Sequence, residues 1–273
     1  MILIAGPCVI ESWEQLEKIG EELKGIVGRM EEKGEKVEFY FKASFDKANR
    51  TSPASYRGPG LKEGVKMLGE MKKKFGFPVL TDIHETWQVE PVAEVVDVLQ
   101  IPAFLCRQTD LLVEAGRSGR KVNIKKGQFL HPEDIRFSIG KVLKGRGEEW
   151  EEVTREKSEK AGIWVTERGS CFGYRNLVVD MRSLVIMGQY APVIFDATHS
   201  VQLPGGAGGK SGGQREFVAP LSRAAAGVGV DGFFFETHYD PDSALSDGPN
   251  MVTPRQLEEI LRKVMEIGRV VKT

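Results

Sequence analysis

Reactive side chains recur just beyond short apolar runs along the whole chain. Cys8 follows the run 2–5, and Lys42 and Ser44 follow 37–41. Asp82 and His84 follow 79–80, Pro102 and Ala103 follow 98–101, and Lys125 and Lys126 follow 122–124. Glu167 and Arg168 follow 163–165, Asp196 and His199 follow 193–195, and Glu236 and His238 follow 233–235. Two chemistries are latent in these positions. Lys42, Lys47, Arg50, Arg107, Lys125, Lys126 and Arg168 form a basic set, and Arg and Lys are the usual clamps for phosphate and carboxylate. An anionic small molecule is the expected ligand. The second set is Cys8, His199, Glu236, His238 and Asp247, a mixture of sulfur, nitrogen and oxygen donors suited to a borderline divalent ion such as zinc, iron or manganese. The residues alone leave open a different reading of that set, an inert buried Cys8 beside hydrogen-bonded core carboxylates. Cys106 and Cys171 have no acid or histidine at a telling spacing and read as buried small apolar residues.

Elements must position these groups. The eight apolar runs read as strands, and helical periodicity fills most of the gaps between them. Ser12 is a candidate N-cap for a helix carrying Trp13, Leu16, Ile19 and Leu23. Leu61, Val65, Leu68 and Met71 give a second helix before Gly76-Phe-Pro78. Shorter helices are expected around Pro91–Val96 and around Leu111–Ala115, the latter ended by Gly116. Pro132 opens a helix with Ile135, Ile139, Val142 and Leu143. Leu221–Val228 precedes Gly229, and Pro254 opens a last helix. The strands are apolar throughout, as parallel strands buried on both faces are. An α/β fold, a single (β/α)8 TIM barrel over residues 1–273, follows, and such barrels place catalytic groups at the C-terminal ends of their strands.

A chain of 273 residues matches one such barrel. Its 41% hydrophobic and 28% charged residues describe a globular protein, and a net charge of -1 gives no global attraction to nucleic acid or anionic membrane. No apolar run reaches the ~20 residues of a membrane span. The start has no basic region before its apolar run, and three cysteines suit a reducing compartment, so a cytoplasmic protein is expected. Residues 145–162 are almost wholly charged, and a solvated helical excursion is expected there. Residues 204–213 approach a phosphate-binding loop, but Pro204 replaces its first glycine, so a mobile lid over the barrel mouth is the expectation.

Longer motifs carry a resemblance. Ile4-Ala-Gly-Pro-Cys8-Val-Ile-Glu-Ser12, Phe41-Lys-Ala-Ser-Phe-Asp-Lys-Ala-Asn-Arg50, Thr81-Asp-Ile-His-Glu85 and Gln100-Ile-Pro-Ala-Phe-Leu-Cys-Arg-Gln-Thr-Asp110 resemble the 3-deoxy-D-manno-octulosonate 8-phosphate synthases. So do Asn123-Ile-Lys-Lys-Gly-Gln128, Thr166-Glu-Arg-Gly169, Phe195-Asp-Ala-Thr-His-Ser-Val-Gln202 and Ala244-Leu-Ser-Asp-Gly-Pro249. The resemblance implies a transferase of lipopolysaccharide biosynthesis that joins phosphoenolpyruvate to arabinose 5-phosphate with water, built as a homotetramer of barrels. It implies that Lys42, Ser44, Lys47, Gln100, Pro102, Ala103, Lys125 and Arg168 surround phosphoenolpyruvate. Asn49, Arg50, Thr51, Asp82 and His84 would face the pentose phosphate, with Phe104 and Arg107 near a neighbouring subunit. Cysteine after Gly-Pro marks the metal-dependent class of that family. The implied cofactor is one divalent ion per subunit, held by Cys8, His199, Glu236 and Asp247. His199, Lys125, Arg168 and Asp247 are the implied catalytic set.

Other readings remain. Arg50-Thr-Ser-Pro53 is similar to the related synthase that uses erythrose 4-phosphate in the aromatic pathway. A sugar-phosphate-binding barrel without turnover, or a barrel metal hydrolase, would share parts of the pattern.

Overall fold

The eight apolar runs become eight parallel strands, each hydrogen-bonded to its neighbours in sequence. They are β1 (Ile2–Gly6), β2 (Glu38–Lys42), β3 (Val79–Asp82), β4 (Val98–Ile101), β5 (Lys121–Lys125), β6 (Ile163–Glu167), β7 (Val193–Asp196) and β8 (Gly232–Glu236). β8 closes onto β1 with Gly6 opposite Glu236, which completes the (β/α)8 barrel. The computed structural model describes residues 1–205 and 212–271. Six of the ten residues read as a lid, 206–211, lie outside the described residues. At its base Gln202–Leu203 pairs antiparallel with Gly212–Gly213.

Side chains of a strand alternate between faces, and that alternation sets up two cores. The outer core lies between strands and helices. The inner one holds Ile4, Tyr40, Leu80, Val98, Trp164, Ile194 and Phe234, one from each strand except β5. The floor beneath it is polar. Lys121 donates to the Tyr40 hydroxyl (2.6 Å) and to Glu38 (2.9 Å). Two residues beyond the apolar layer, towards the C-terminal mouth, the same strands carry Lys42, Asp82, Gln100, Thr166, Asp196 and Glu236. Uniformly apolar strands were the expectation. Instead the apolar face is the outward one, and the inward face turns polar within one step.

The helices are α1 (Trp13–Glu32), α2 (Leu61–Phe75), α3 (Val89–Ala93), α4 (Thr109–Arg117), α5 (Ile135–Gly145), α6 (Arg155–Lys160), α7 (Met181–Gly188), α8 (Val218–Val228) and α9 (Pro254–Val271). Ser12 caps α1 by accepting from the Gln15 N–H at 3.1 Å, and left-handed Gly76 and Gly229 end α2 and α8. α7 carried no sequence mark, because its Asp180 cap and Met181-Arg-Ser-Leu-Val-Ile-Met start lack a clean polar face. The charged stretch 145–162 is not a free helix. Beyond the end of α5 at Gly145 only α6 is α-helical there, its Ser158 is buried, and Arg155 braces it to Asp231 at 2.6 Å.

Gly116 also departs from expectation. It lies inside α4 rather than ending it, and faces Gly145 of α5. A Cβ built on Gly116 would sit 2.2 Å from the Val142 carbonyl oxygen, and one on Gly145 would sit 2.1 Å from that of Val113. The two helices therefore touch backbone to backbone. Gly116→Ala forces them apart, at an expected cost on the order of 1–3 kcal/mol, the scale of overpacking. Urea or thermal unfolding checks this, and an unchanged midpoint would contradict so close an approach.

Candidate active site

A belt of polar side chains crosses the barrel interior from β2 to β6. The Ser44 hydroxyl and the Gln100 amide both donate to Asp82. Asn123 donates to the Gln100 oxygen at 2.9 Å, and Thr166 donates to the Asn123 oxygen at 2.7 Å. Each amide gives on one side and accepts on the other, which fixes the rotamers of both. Burial works against the Asp82 charge, but Lys42 and Lys47 outweigh it and hold the carboxyl below its usual range.

The opposite arc, from β7 through β8 to β1, gathers the metal-type donors. Lys42 donates to Glu236 Oε1 (2.8 Å) and to the Cys8 carbonyl (2.9 Å), and Lys47 lies 4.0 Å from Glu236. His199 places Nδ1 2.7 Å from Asp196, and Nε2 3.5 Å from Glu236 and 4.0 Å from Asp247. Cys8 Sγ is 2.9 Å from the Ser246 hydroxyl and 3.3 Å from Asp247. Cys8, Glu236 and Asp247 each bring one ligand atom within 4.8 Å of the others. Glu236 Oε2 is buried with no hydrogen-bond partner. One soft donor, two carboxylates, a facing imidazole and an orphaned carboxylate oxygen fit a divalent cation. Asp247 reaches this cluster from left-handed backbone, φ 52°, and the next residue must be glycine-like, since a Cβ at Gly248 would fall 2.3 Å from the Pro241 carbonyl oxygen.

The electrostatics follow from burial and pairing. Glu236 and Asp196 are held well below the ordinary carboxylate range; burial opposes this, and His199 with Lys42 or Lys125 overcomes it. Burial, joined by Glu236 and Asp247, pushes the Cys8 thiol upward. Burial lowers Lys125 despite its contact with Asp196, and its ammonium sits 3.7 Å from the Phe234 ring centre. Arg168 donates to Gln202 at 2.7 Å, and Gln202 donates onward to Asp247 at 3.0 Å. Among the described residues the Arg168 Nη1 is buried without a hydrogen-bond partner; burial lowers the pKa of the guanidinium, opposed by the fields of Asp196 and Asp247.

The mouth thus brings together Cys8, Lys42, Ser44, Lys47, Asp82, Gln100, Lys125, Arg168, His199, Glu236 and Asp247. Arg50 reaches over from the loop after β2 and donates to the Ser246 hydroxyl at 2.7 Å and the Leu245 carbonyl at 2.9 Å. His84 packs edge-on against Phe45, and burial lowers its pKa. Pro102 and Ala103 begin the turn after β4. Asn49, Thr51, Phe104 and Arg107 are exposed on the surrounding loops. Two expectations fail. Lys126 is not part of the basic mouth: it points outward, wholly buried, 3.6 Å from Glu167. Cys171 is exposed rather than buried. Sequence reasoning gave no role to Asp196, Asn123, Thr166, Gln202 or Ser246. For Asp196 a signal existed, since it stands one turn before His199.

Comparison with known proteins matches residues 1–273 to the model of the DAHP synthetase I family. A protein of Wolinella succinogenes named 2-dehydro-3-deoxyphosphooctonate aldolase is 62% identical over 270 residues, 99% of this chain and 100% of its own. A protein of the same name from Campylobacter jejuni is 61% identical over 272 residues, covering 100% and 98%. One from Helicobacter hepaticus is 60% identical over 267 residues, covering 98% and 96%.

Thiol accessibility tests the geometry of the mouth. In native protein at neutral pH an alkylating reagent is expected to label Cys171 quickly and to leave Cys8 unlabelled until denaturation, because burial and two neighbouring carboxylates disfavour the Cys8 thiolate. Mass spectrometry of the labelled peptides reads the result, and fast labelling of Cys8 would contradict its enclosure.

Proposed function

The chain belongs to the DAHP synthetase I family, and we propose that it condenses phosphoenolpyruvate with arabinose 5-phosphate and water to give 3-deoxy-D-manno-octulosonate 8-phosphate and inorganic phosphate. It is a transferase that forms one C–C bond, as the names of its relatives also support. The observation that carries this reading is the paired demand at the mouth: a buried Arg168 guanidinium whose Nη1 has no hydrogen-bond partner among the described residues, beside a cluster of soft and hard metal donors. A phosphorylated enol and an aldehyde are substrates that answer both.

The enol carbon C3 attacks the aldehyde carbon of the pentose, water adds at C2, and phosphate departs with cleavage of the C2–O bond. Of the two protons of the added water, one is balanced by the proton the aldehyde oxygen gains, and the other leaves with the phosphate as the C2 carbonyl forms. Lys125 and Arg168 bind the phosphate and stabilise the charge that grows as it leaves. His199, oriented at Nδ1 by Asp196, is placed to hold or pass a proton at Nε2. The belt holds Gln100 toward phosphoenolpyruvate and Asp82 toward the pentose phosphate, which Asn49, Arg50, Thr51 and His84 also face. A divalent ion held by Cys8, His199, Glu236 and Asp247 would supply Lewis acidity when bound. The exposed Phe104 and Arg107 suit contact with a neighbouring subunit, and a homotetramer is part of the proposal. Among the described residues no helix is long and apolar enough to cross a membrane. A cytoplasmic place in lipopolysaccharide assembly completes the reading.

Substrate choice tests it. Arabinose 5-phosphate is expected to give a much higher kcat/KM than erythrose 4-phosphate, because buried polar groups left unpaired by the shorter sugar cost about 1–3 kcal/mol each. Product analysis with either aldose decides, and an equal or reversed preference assigns the chain to the aromatic-pathway reaction.

Metal dependence is the second test. Chelation is expected to abolish turnover and a divalent ion such as manganese, iron or zinc to restore it. Cys8→Ala removes the soft donor and is expected to lower bound metal, read by elemental analysis. A wild-type protein that stays active after exhaustive chelation, with no metal by that analysis, would falsify the ion's role.

A further inference from the structure

Lys126 and Glu167 form an ion pair with no exposure to solvent, on the outward face of the same strand ends that turn Lys125 and Arg168 inward. Such a pair is a weak way to stabilise a fold, since well-packed apolar residues of similar volume often do as well or better. What this carboxylate does, an apolar side chain cannot. Glu167 Oε1 accepts from two successive backbone N–H groups, Arg168 at 2.9 Å and Gly169 at 2.7 Å. Oε2 accepts from the Ser183 hydroxyl of α7 at 2.7 Å and faces the Lys126 ammonium. Lys126 in turn donates to the carbonyls of Gly127 (3.2 Å) and Leu130 (3.4 Å) and to the Ser170 hydroxyl (3.2 Å). The loops after β5 and β6 are thereby tied together, a tie repeated where the Cys171 N–H donates to the Gln128 carbonyl at 2.9 Å.

Arg168 needs this support because its own side chain has little. Among the described residues Gln202 is the one hydrogen-bond partner of its guanidinium, and Nη1 has none. Its direction is therefore set largely by its backbone, at a turn where Gly169 is left-handed, φ 91°. We propose that Glu167, charge-balanced by Lys126, is a positioning residue that fixes the Arg168 guanidinium for the departing phosphate. The inference rests on the proposed role of Arg168 toward phosphoenolpyruvate. Displacing a clamp of this kind by about 1 Å is enough to lower a rate substantially, on the order of 10²-fold in sensitive cases.

A kinetic double-mutant cycle tests it, using the full chain with its metal. Glu167→Gln keeps one acceptor oxygen but turns an amide donor toward the Lys126 ammonium. It is expected to lower kcat/KM for phosphoenolpyruvate by about 10-fold or more while the KM for arabinose 5-phosphate stays within about twofold. Arg168→Ala establishes the clamp itself. If Glu167 acts through Arg168, the double variant loses no more than Arg168→Ala alone; a merely structural role makes the two losses multiply. Circular dichroism and the thermal midpoint confirm that each variant is folded. Should Glu167→Gln fail to fold, Ser183→Ala carries the same cycle, removing one hydrogen bond and no charge, with an expected loss of about threefold. Multiplying losses, or a folded Glu167→Gln with wild-type phosphoenolpyruvate kinetics beside a damaged Arg168→Ala, overturns the positioning role. A harmless Arg168→Ala overturns the clamp reading, and the positioning role falls with it.

Discussion

Charge pairing inside the barrel is the constraint on which the rest depends. The C-terminal halves of the strands hold Lys42, Asp82, Lys125, Asp196 and Glu236, all buried. A buried charge left alone costs several kcal/mol, and removing one member of a buried pair typically costs about 3–5 kcal/mol. The barrel solves this by geometry. Strand register brings Lys42 of β2 to Glu236 of β8 across β1, and Lys125 of β5 to Asp196 of β7 across β6. Neither pair lies between neighbouring strands. Each spans one intervening strand, which a closed cylinder permits and a flat sheet would not.

Pairing is complete in sum and incomplete in detail. Glu236 keeps one carboxylate oxygen without a partner, and Arg168 keeps one guanidinium nitrogen. Both deficits lie at the mouth, where a ligand can meet them. Along the polar belt the hydrogen bonds close: the amides of Gln100 and Asn123 join Asp82 to Thr166. A cation beside Glu236 and an anion beside Arg168 are thus complementary demands, separated by the bridge Arg168–Gln202–Asp247.

Much of this was legible in the sequence because strand ends are marked by abrupt change. Val-Leu becomes Thr81-Asp82, and Phe-Phe-Phe becomes Glu236, so the runs located all eight strands and the direction of the mouth. Helices with strong caps or proline starts were equally clear. α7 was missed because Ser183, Leu184 and Met187 are buried while Val185 is exposed, which blurs its apolar stripe. Gly116 was read as a stop because a glycine at a helix end and a glycine at a helix contact look alike in one dimension; only the facing Gly145 separates them. Contacts between distant segments, such as Cys8 to Ser246, had no local spacing to reveal them.

The subtlest failure of the linear reading concerns neighbours. Lys125 and Lys126 look equivalent, and Glu167 and Arg168 look like a simple charged pair. The two-residue period of a strand gives adjacent residues opposite faces, so Lys125 and Arg168 enter the mouth while Lys126 and Glu167 enter the layer beneath the helices. The doublets therefore encode one ion pair across the outside and two separate cations on the inside. The outward pair is neutral and buried, while inside the barrel Lys125 meets Asp196 and Arg168 meets Gln202. Exchanging Glu167 and Arg168 would leave composition and net charge unchanged while turning an acid into the mouth beside Lys125.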